Sequence, residues 1–144
     1  MESFVIDVNI LFSGLISRKK FYEELFLRYK FYIPDFALLE LQKYKKVIRK
    51  KASKQQADFE KFAVMLFSNL NVIPDILLSE QIISQAEELC KEVDIKDSLY
   101  VALSMFLDKP LITRDKPLYN HLKNNTNFND IILFDEFVNQ YKEE

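Results

Sequence analysis

Short apolar runs alternate with amphipathic helical patterns along this chain, and this alternation constrains the fold more than any other feature. The apolar runs occupy residues 4–6, 31–33, 72–73, 111–113 and 131–134. The first run is apolar on both sides, which is typical of a central strand in a parallel sheet. The pattern therefore predicts an α/β fold with a mainly parallel central sheet of about five strands and helices on both faces. We expect one domain that spans residues 1–144.

Three residue types that occur only once exclude several kinds of site. Gly14 is the only glycine, whereas a phosphate-binding glycine-rich loop needs several. His121 is the only histidine and Cys90 the only cysteine. These counts exclude a multi-histidine metal centre, an internal disulfide and a cysteine-based zinc site. Any chemistry therefore has to rely on carboxylates.

The sequence shows no segment that would target or cross a membrane. Its N-terminus lacks a basic leader followed by an apolar stretch and a cleavage site. No apolar run approaches the roughly 20 residues needed to span a bilayer. We therefore expect a soluble, cytoplasmic protein with no membrane partner.

Four acidic residues lie where a predicted strand or helix begins or ends. Asp7 follows the first apolar run and Asp115 follows the fourth, while Glu40 interrupts an apolar run and Asp97 opens a helical stretch. Strand ends and helix starts meet along one edge of an α/β sheet, so these acids could share a pocket. Two like charges about 4 Å apart repel by roughly 4 kcal/mol at an effective dielectric of about 20. A bound Mg2+ or Mn2+ would compensate that repulsion.

Each acid also has a purely structural interpretation. Asp94 suits a helix N-cap, and Asp97 in the first turn would interact with the helix dipole, an effect worth roughly 0.3–1 kcal/mol. Asp115 could cap the short helix that follows it, and Glu40 could be a solvated residue. Asp7 fits such a role least, because a carboxylate directly after a buried strand is poorly solvated. The combination of the acids favours a metal site.

The order and spacing of these residues resemble the PIN domain, a family of metal-dependent ribonucleases that includes the toxins of many bacterial toxin–antitoxin pairs. The matching segments are VIDVNIL at residues 5–11, PDFALLE at 34–40, DIKD at 94–97 with ALS at 102–104, and LITRD at 111–115. The chain departs from the family just before the fourth strand. The family often has a small residue there, commonly glycine, and this chain has DKP at residues 108–110.

The resemblance implies which residues form the site. The acidic, metal-binding cluster would be Asp7, Glu40, Asp97 and Asp115. The residues that support this cluster would be Asn9, Thr113 and Asp94.

A basic segment follows Glu40. Asp35 suits the N-cap of a long helix that continues through Tyr44 and Ile48, and Ser53 could cap the next helix. Four basic residues would then lie along the helix that carries Glu40, namely Lys43, Lys46, Arg49 and Lys50. Such a helix could hold an RNA backbone beside a metal site. Alternatively, these side chains only keep an exposed helix face solvated.

These observations predict a Mg2+- or Mn2+-dependent endoribonuclease. Asp7, Asp97 and Asp115 would bind the metal, and Glu40 would bind it or orient the attacking water. The resemblance implies the partners, namely an RNA substrate and a protein antitoxin, and we also expect a second copy of the chain in a homodimer. The main alternative is a PIN-like module that binds RNA or protein without cleaving it. A receiver-type phosphoacceptor agrees less well with the sequence, because such a protein needs adjacent acids after the first strand and here Asp7 is followed by Val8.

Overall fold

A five-stranded parallel sheet forms the centre of the computed structural model, which describes residues 2–52 and 56–143. The strands are β1 (Ser3–Ile6), β2 (Lys30–Pro34), β3 (Leu70–Ile73), β4 (Leu111–Thr113) and β5 (Ile131–Leu133). Their order across the sheet is β3-β2-β1-β4-β5, and every neighbouring pair is parallel. The predicted α/β fold class is therefore confirmed.

Helices connect the strands and cover the sheet. In the described residues they are α1 (Val8–Ser17), α2 (Lys20–Arg28), α3 (Phe36–Gln42), α4 (Lys45–Ala52), α5 (Gln56–Ser68), α6 (Glu80–Cys90), α7 (Ser98–Leu107), α8 (Lys116–Asn125) and α9 (Phe134–Glu143). Two short 3-10 helices occupy Asp75–Leu77 and Ile95–Asp97. Successive side chains of a strand point to opposite faces, and Phe4, Val5 and Ile6 of β1 are all buried. Helices therefore cover both faces of the central strand, as predicted.

The strand order places a topological switch beside β1. The chain proceeds from β1 to β2 and β3 on one side, then returns to the other side of β1 to form β4 and β5. In open parallel sheets, the carboxyl ends of the two strands at such a switch border a crevice where sites form. Here those two strands are β1 and β4, which end at Ile6 and Thr113.

No helix within residues 2–52 and 56–143 is both long enough and apolar enough to cross a membrane.

The prediction of one long helix after Asp35 is wrong. The segment forms two helices, α3 and α4, with Lys43 and Tyr44 between them. The ring of Tyr44 packs against Phe12 of α1, with 4.4 Å between the ring centroids, and α4 continues toward α5. Asp35 does not cap α3 with its side chain, because its Oδ1 atom accepts the N–H of Asp75 at 3.0 Å.

The basic residues consequently do not share a helix with Glu40. Glu40 lies on α3, Lys43 lies in the turn, and α4 carries Lys46, Arg49 and Lys50. Ser53, the predicted cap of the following helix, lies outside the described residues.

The turn before β4 is closed without a glycine. Asp108 follows α7 in the left-handed conformation, with φ 53° and ψ 50°, and its N–H donates to the carbonyl of Ser104. Aspartate is one of the few residues other than glycine that tolerate this conformation. The departure from the family pattern at residues 108–110 is therefore accommodated by an ordinary left-handed helix end.

We expect Asp108→Gly to raise the free energy of unfolding by a few tenths of a kcal/mol. An L-residue in the left-handed conformation costs about 1–2 kcal/mol, with aspartate toward the low end, and the greater freedom of glycine in the unfolded chain offsets about 0.5–1 kcal/mol of the gain. Urea unfolding at neutral pH measures the change. Asp108→Ala is the matched control, because it removes the same carboxylate but keeps the Cβ atom. Equal stabilisation by alanine would contradict the backbone explanation.

Candidate metal centre

Asp7 is held between the end of β1 and the start of α1. Its side chain is only 7% exposed. Oδ1 caps α1 by accepting the backbone N–H groups of Asn9 at 2.9 Å and Ile10 at 3.3 Å. Oδ2 accepts the Thr113 hydroxyl at 2.7 Å and the backbone N–H of Arg114 at 3.4 Å. Burial raises the pKa of Asp7 above the ordinary aspartate value, although these hydrogen bonds act in the opposite direction.

Thr113 connects two of the predicted acids. Its side chain is 1% exposed, and its hydroxyl donates to Asp7 while accepting the backbone N–H of Asp115 at 3.0 Å. Asp115 Oδ1 in turn accepts the N–H of Leu118 at 3.0 Å and so caps α8, which confirms the predicted capping role. The ends of β1 and β4 are therefore joined by side-chain hydrogen bonds at the switch point of the sheet.

Glu40 reaches the same region through Tyr100, a residue that the sequence did not single out. The Tyr100 hydroxyl donates to Glu40 Oε1 at 3.1 Å and accepts the backbone N–H of Val8 at 3.2 Å. Tyr100 is 3% exposed, and its burial is the largest cause of a raised pKa. Its hydroxyl therefore stays protonated and can keep donating to Glu40. The available signal was its position three residues after Asp97, which places both side chains on one face of the helix start.

Asp97 carries an oxygen atom that lacks a hydrogen-bond partner. It ends the 3-10 helix whose first N–H groups are capped by Asp94, where Lys96 N–H donates to Asp94 Oδ1 at 3.0 Å. This arrangement confirms the predicted N-cap. Asp97 Oδ2 is buried and has no hydrogen-bond partner in the described part of the chain. Buried polar atoms are normally paired, so this atom indicates a missing ligand.

The charges around Asp97 identify its neighbours. Burial is the largest cause that raises the pKa of Asp97 to about 7 from an ordinary value of 3.8. The remaining causes are the negative charges of Asp115, Asp94, Asp7 and Glu40, in that order of effect. The other three predicted acids, together with Asp94, therefore lie within electrostatic range of Asp97.

The predicted supporting and basic residues occupy different surroundings. Asn9 is exposed, and the group it contributes to Asp7 is its backbone N–H. The side chains of Lys43, Lys46, Arg49 and Lys50 are all exposed. Arg114 was not singled out in the sequence, yet its N–H binds Asp7 directly. Only its position between Thr113 and Asp115 in the LITRD segment could have indicated this hydrogen bond.

The donor set fits a hard divalent cation, although it is not arranged as a finished site. In residues 2–52 and 56–143, no group of three or more histidine, cysteine or acidic side chains is positioned to hold a metal ion. The chemistry of the region nevertheless matches such an ion, because Mg2+ and Mn2+ take carboxylate oxygens and Asp97 Oδ2 has no other partner. Close convergence of the four carboxylates stays a prediction.

Comparisons with known proteins identify related chains. The family model of the PIN domain matches residues 5–127. No curated protein matches the sequence significantly.

Three solved structures share the fold. PAE2754 from Pyrobaculum aerophilum gives a TM-score of 0.63 at 13% identity, covering 99% of this chain and 98% of that chain. A toxin–antitoxin complex from Klebsiella pneumoniae gives a TM-score of 0.55 at 19% identity, covering 89% of this chain and 94% of that chain. VapBC2 from Rickettsia felis, bound to a DNA fragment from its promoter, gives a TM-score of 0.56 at 19% identity, covering 91% of this chain and 96% of that chain. At these identities the likeness concerns the fold alone.

We expect Thr113→Val to lower the free energy of unfolding by about 1.5–3 kcal/mol, the usual cost of losing a hydrogen bond to a charged group. Valine keeps the shape of the side chain but leaves Asp7 Oδ2 and the Asp115 N–H without this hydroxyl. Thr126→Val is the matched control, because Thr126 also donates to one group and accepts from another, both of them neutral. Its expected cost is about 1 kcal/mol by urea unfolding. If both variants lose the same free energy of unfolding, the charge of Asp7 adds nothing to the strength of its hydrogen bond with Thr113.

We expect the metal-free protein to lose stability as pH rises from about 4 to about 7. The folded-state pKa of Asp97 lies above its ordinary value, so the folded protein binds this proton more tightly than the unfolded chain does. The stabilisation from the protonated Asp97 is fully present below pH 3.8, the ordinary aspartate pKa, and is lost as pH rises through about 7. Asp97→Asn should flatten this part of the profile, measured as melting temperature against pH.

Added Mn2+ should restore the lost stability at pH 7 in the wild type, because it binds the ionised carboxylates, and should do so far less in Asp97→Asn. Asp75→Asn is the control, because burial and the neighbouring Asp35 raise the pKa of Asp75 to about 6. In this variant the melting temperature should fall less steeply with pH, and Mn2+ should still raise the melting temperature at pH 7. An Mn2+ response that survives Asp97→Asn would contradict the proposed position of the metal.

Proposed function

This chain belongs to the PIN domain family, and on that basis we propose that it is a Mg2+- or Mn2+-dependent endoribonuclease. Members of this family are generally nucleases. The observation that carries the proposal is Asp97 Oδ2, a buried oxygen without a hydrogen-bond partner among the described residues that lies among other negative charges. A divalent cation would satisfy this oxygen and the surrounding charges together.

Asp7, Asp97 and Asp115 would hold the cation, and Glu40 would hold it or orient the attacking water. A bound Mg2+ or Mn2+ would neutralise charge on the phosphate and lower the pKa of a coordinated water. Mutual repulsion separates carboxylates when no cation is present, so the side chains would have to close around it. The hydrogen bonds to Asp7 and Glu40 limit how far those two acids can move.

The chain's own groups would position the reaction. Thr113 and the Arg114 amide orient Asp7, and the Tyr100 hydroxyl orients Glu40. Glu40 would then accept a hydrogen bond from a water placed in line with the scissile bond. The water oxygen would form the new bond to phosphorus and lose a proton to the solvent, while the bond from phosphorus to the 3′ oxygen would break and that oxygen would take up a proton and leave as a hydroxyl. Hydrolysis therefore leaves a phosphate on the 5′ side of the downstream fragment.

The four basic residues after Glu40 would contact the RNA backbone. The side chains of Lys43, Lys46, Arg49 and Lys50 are exposed, and they begin at the turn directly after α3. Exposed cations that begin next to an acidic site can hold phosphates while one linkage is cleaved. We also propose a cytoplasmic location, where most cellular RNA is found.

We propose a protein antitoxin as the binding partner. The supporting observation is that two of the structural neighbours, from Klebsiella pneumoniae and Rickettsia felis, come from toxin–antitoxin complexes. The chain would then be the toxin of such a pair. The predicted homodimer stays a prediction that light scattering of the purified protein can test.

We expect Mn2+-dependent cleavage of single-stranded RNA that falls at least 100-fold in Asp7→Asn and in Asp97→Asn. Loss of a metal ligand removes several kcal/mol of transition-state stabilisation, and about 1.4 kcal/mol corresponds to a factor of ten. Asp97→Asn should leave the fold intact, because neutralising one acid relieves repulsion and Asp97 Oδ2 accepts no hydrogen bond from the described residues. Asp7→Asn also loses an acceptor for Thr113 and Arg114, so thermal unfolding has to show that this variant is folded before its activity is compared. Cleavage is followed on denaturing gels with Mn2+, with Mg2+ and with EDTA.

Asp58→Asn is the matched control, because Asp58 is an exposed acid on α5 and its substitution should leave cleavage unchanged. A folded wild-type protein that binds RNA but never cleaves it would favour the alternative, a PIN-like module that binds RNA or protein.

A further inference from the structure

A cavity that shares Arg114 with the surroundings of Asp7 plays no part in the function proposed so far. Its volume is about 720 Å³, within the roughly 300–1,000 Å³ typical of ligand pockets. It lies between α1, the start of α2, the end of β4 and α9. The described residues that matter for its chemistry are Phe12, Lys19, Phe21, Arg114, Asp135 and Lys142.

Arg114 joins this cavity to the acidic site. Its backbone N–H donates to Asp7 Oδ2 at 3.4 Å. Its guanidinium donates to the Ser13 hydroxyl at 2.5 Å and lies over the Phe134 ring, 5.3 Å from the ring centroid. Ser13 and Phe134 both line the cavity. A single residue therefore binds a predicted metal ligand through its backbone and places a positive charge in the cavity wall.

The charge of the cavity is opposite to that of the acidic site. Among the described lining residues, Lys19, Arg114 and Lys142 are cationic and Asp135 is acidic. The cavity therefore favours an anion, whereas the neighbouring acids repel one unless a cation is bound. In a nuclease, the anion next to the scissile phosphate is the adjoining phosphate of the same RNA strand.

Aromatic rings line another part of the cavity. Phe12 and Phe21 line the cavity and are half-buried. Phe12 packs on the Tyr44 ring and Phe21 packs on the Tyr22 ring, so a base would have to stack on the remaining face of Phe12 or Phe21. Aromatic rings with accessible faces stack on nucleobases, and this stacking tolerates any base. A base can enter such a space only when it is unpaired, which favours single-stranded RNA.

We propose that this cavity is a substrate subsite that holds one nucleotide of a single-stranded RNA next to the scissile linkage. Arg114 and Lys19 bind its phosphate, and Phe12 or Phe21 stacks on its base. The proposal rests on the proposed nuclease function for its substrate. It assigns substrate binding to a surface separate from the basic residues of α4.

Binding is tested with a short fluorescein-labelled single-stranded RNA that contains 4-thiouridine, using the full chain with Asp97→Asn to prevent cleavage. We expect Lys19→Gln and Arg114→Gln each to weaken binding about 10-fold at low salt, the effect of removing one charged hydrogen bond. The slope of log affinity against log salt should fall by about 0.7 for each RNA phosphate that the variant no longer neutralises. Photo-crosslinks should map to residues near Phe12 or Phe21.

Lys30→Gln is the matched control. Lys30 is an exposed cation at the start of β2, and therefore at the opposite edge of the sheet from the strand ends that border the acidic site. Lys142→Gln gives an independent test if Arg114→Gln proves unstable by thermal unfolding, since the Lys142 side chain is exposed. In the active background, the cavity variants should raise KM more than they lower kcat.

The outcomes separate this proposal from the nuclease function. If the wild type cleaves RNA while the cavity variants behave like Lys30→Gln, the subsite is wrong and the function stands. Crosslinks confined to α4 would overturn the subsite in the same way. If the wild type binds RNA through the cavity without cleaving it, the subsite stands and the nuclease function falls. If the protein binds no RNA, both fall.

Discussion

The carboxylate of Asp7 is buried at the end of the central strand, where an ionised group is costly unless several donors bind it. The donors come from separate parts of the chain. Two are amides at the start of α1, one is the Thr113 hydroxyl at the end of β4, and one is the Arg114 amide. The Asp7 side chain therefore binds both the start of α1 and the end of β4, and so it helps to hold β4 beside β1. The geometry of the candidate site and the stability of the sheet centre depend on the same hydrogen bonds.

Much of the fold could be predicted because its signals are local. Each strand is a short apolar run, and the alternation of these runs with amphipathic helical patterns is enough to indicate a parallel sheet. The break between α3 and α4 has no comparable signal. The residues around Lys43 and Tyr44 suit a helix, and the packing of the Tyr44 ring on Phe12 is formed only in the folded chain. Tertiary packing overrides local preference at this point.

The candidate site was predictable in part for the same reason. Asp7, Glu40, Asp97 and Asp115 are visible because a charge at the end of an apolar element is conspicuous. Tyr100 is not, since a tyrosine in an apolar helical stripe is most often a core residue. Its role depends on two hydrogen bonds, to Glu40 and from Val8, whose partners lie 60 and 92 positions away in the sequence. A single sequence gives no information about such pairings.

These long separations have a consequence for how the site is assembled. The hydrogen bonds of Asp7 with Thr113 and Arg114 join residues 106 and 107 positions apart in a chain of 144, so they close a loop that contains most of the chain. Such bonds form only after the entropy of closing a very long loop has been overcome, so we expect them to form late in folding. A nascent chain still lacking β4 contains Asp7, Glu40 and the two α1 amides that bind Asp7, but it lacks the other two donors, Thr113 and Arg114. The candidate site is therefore complete only when β4 has joined the sheet, and it loses two of the donors to Asp7 if β4 detaches.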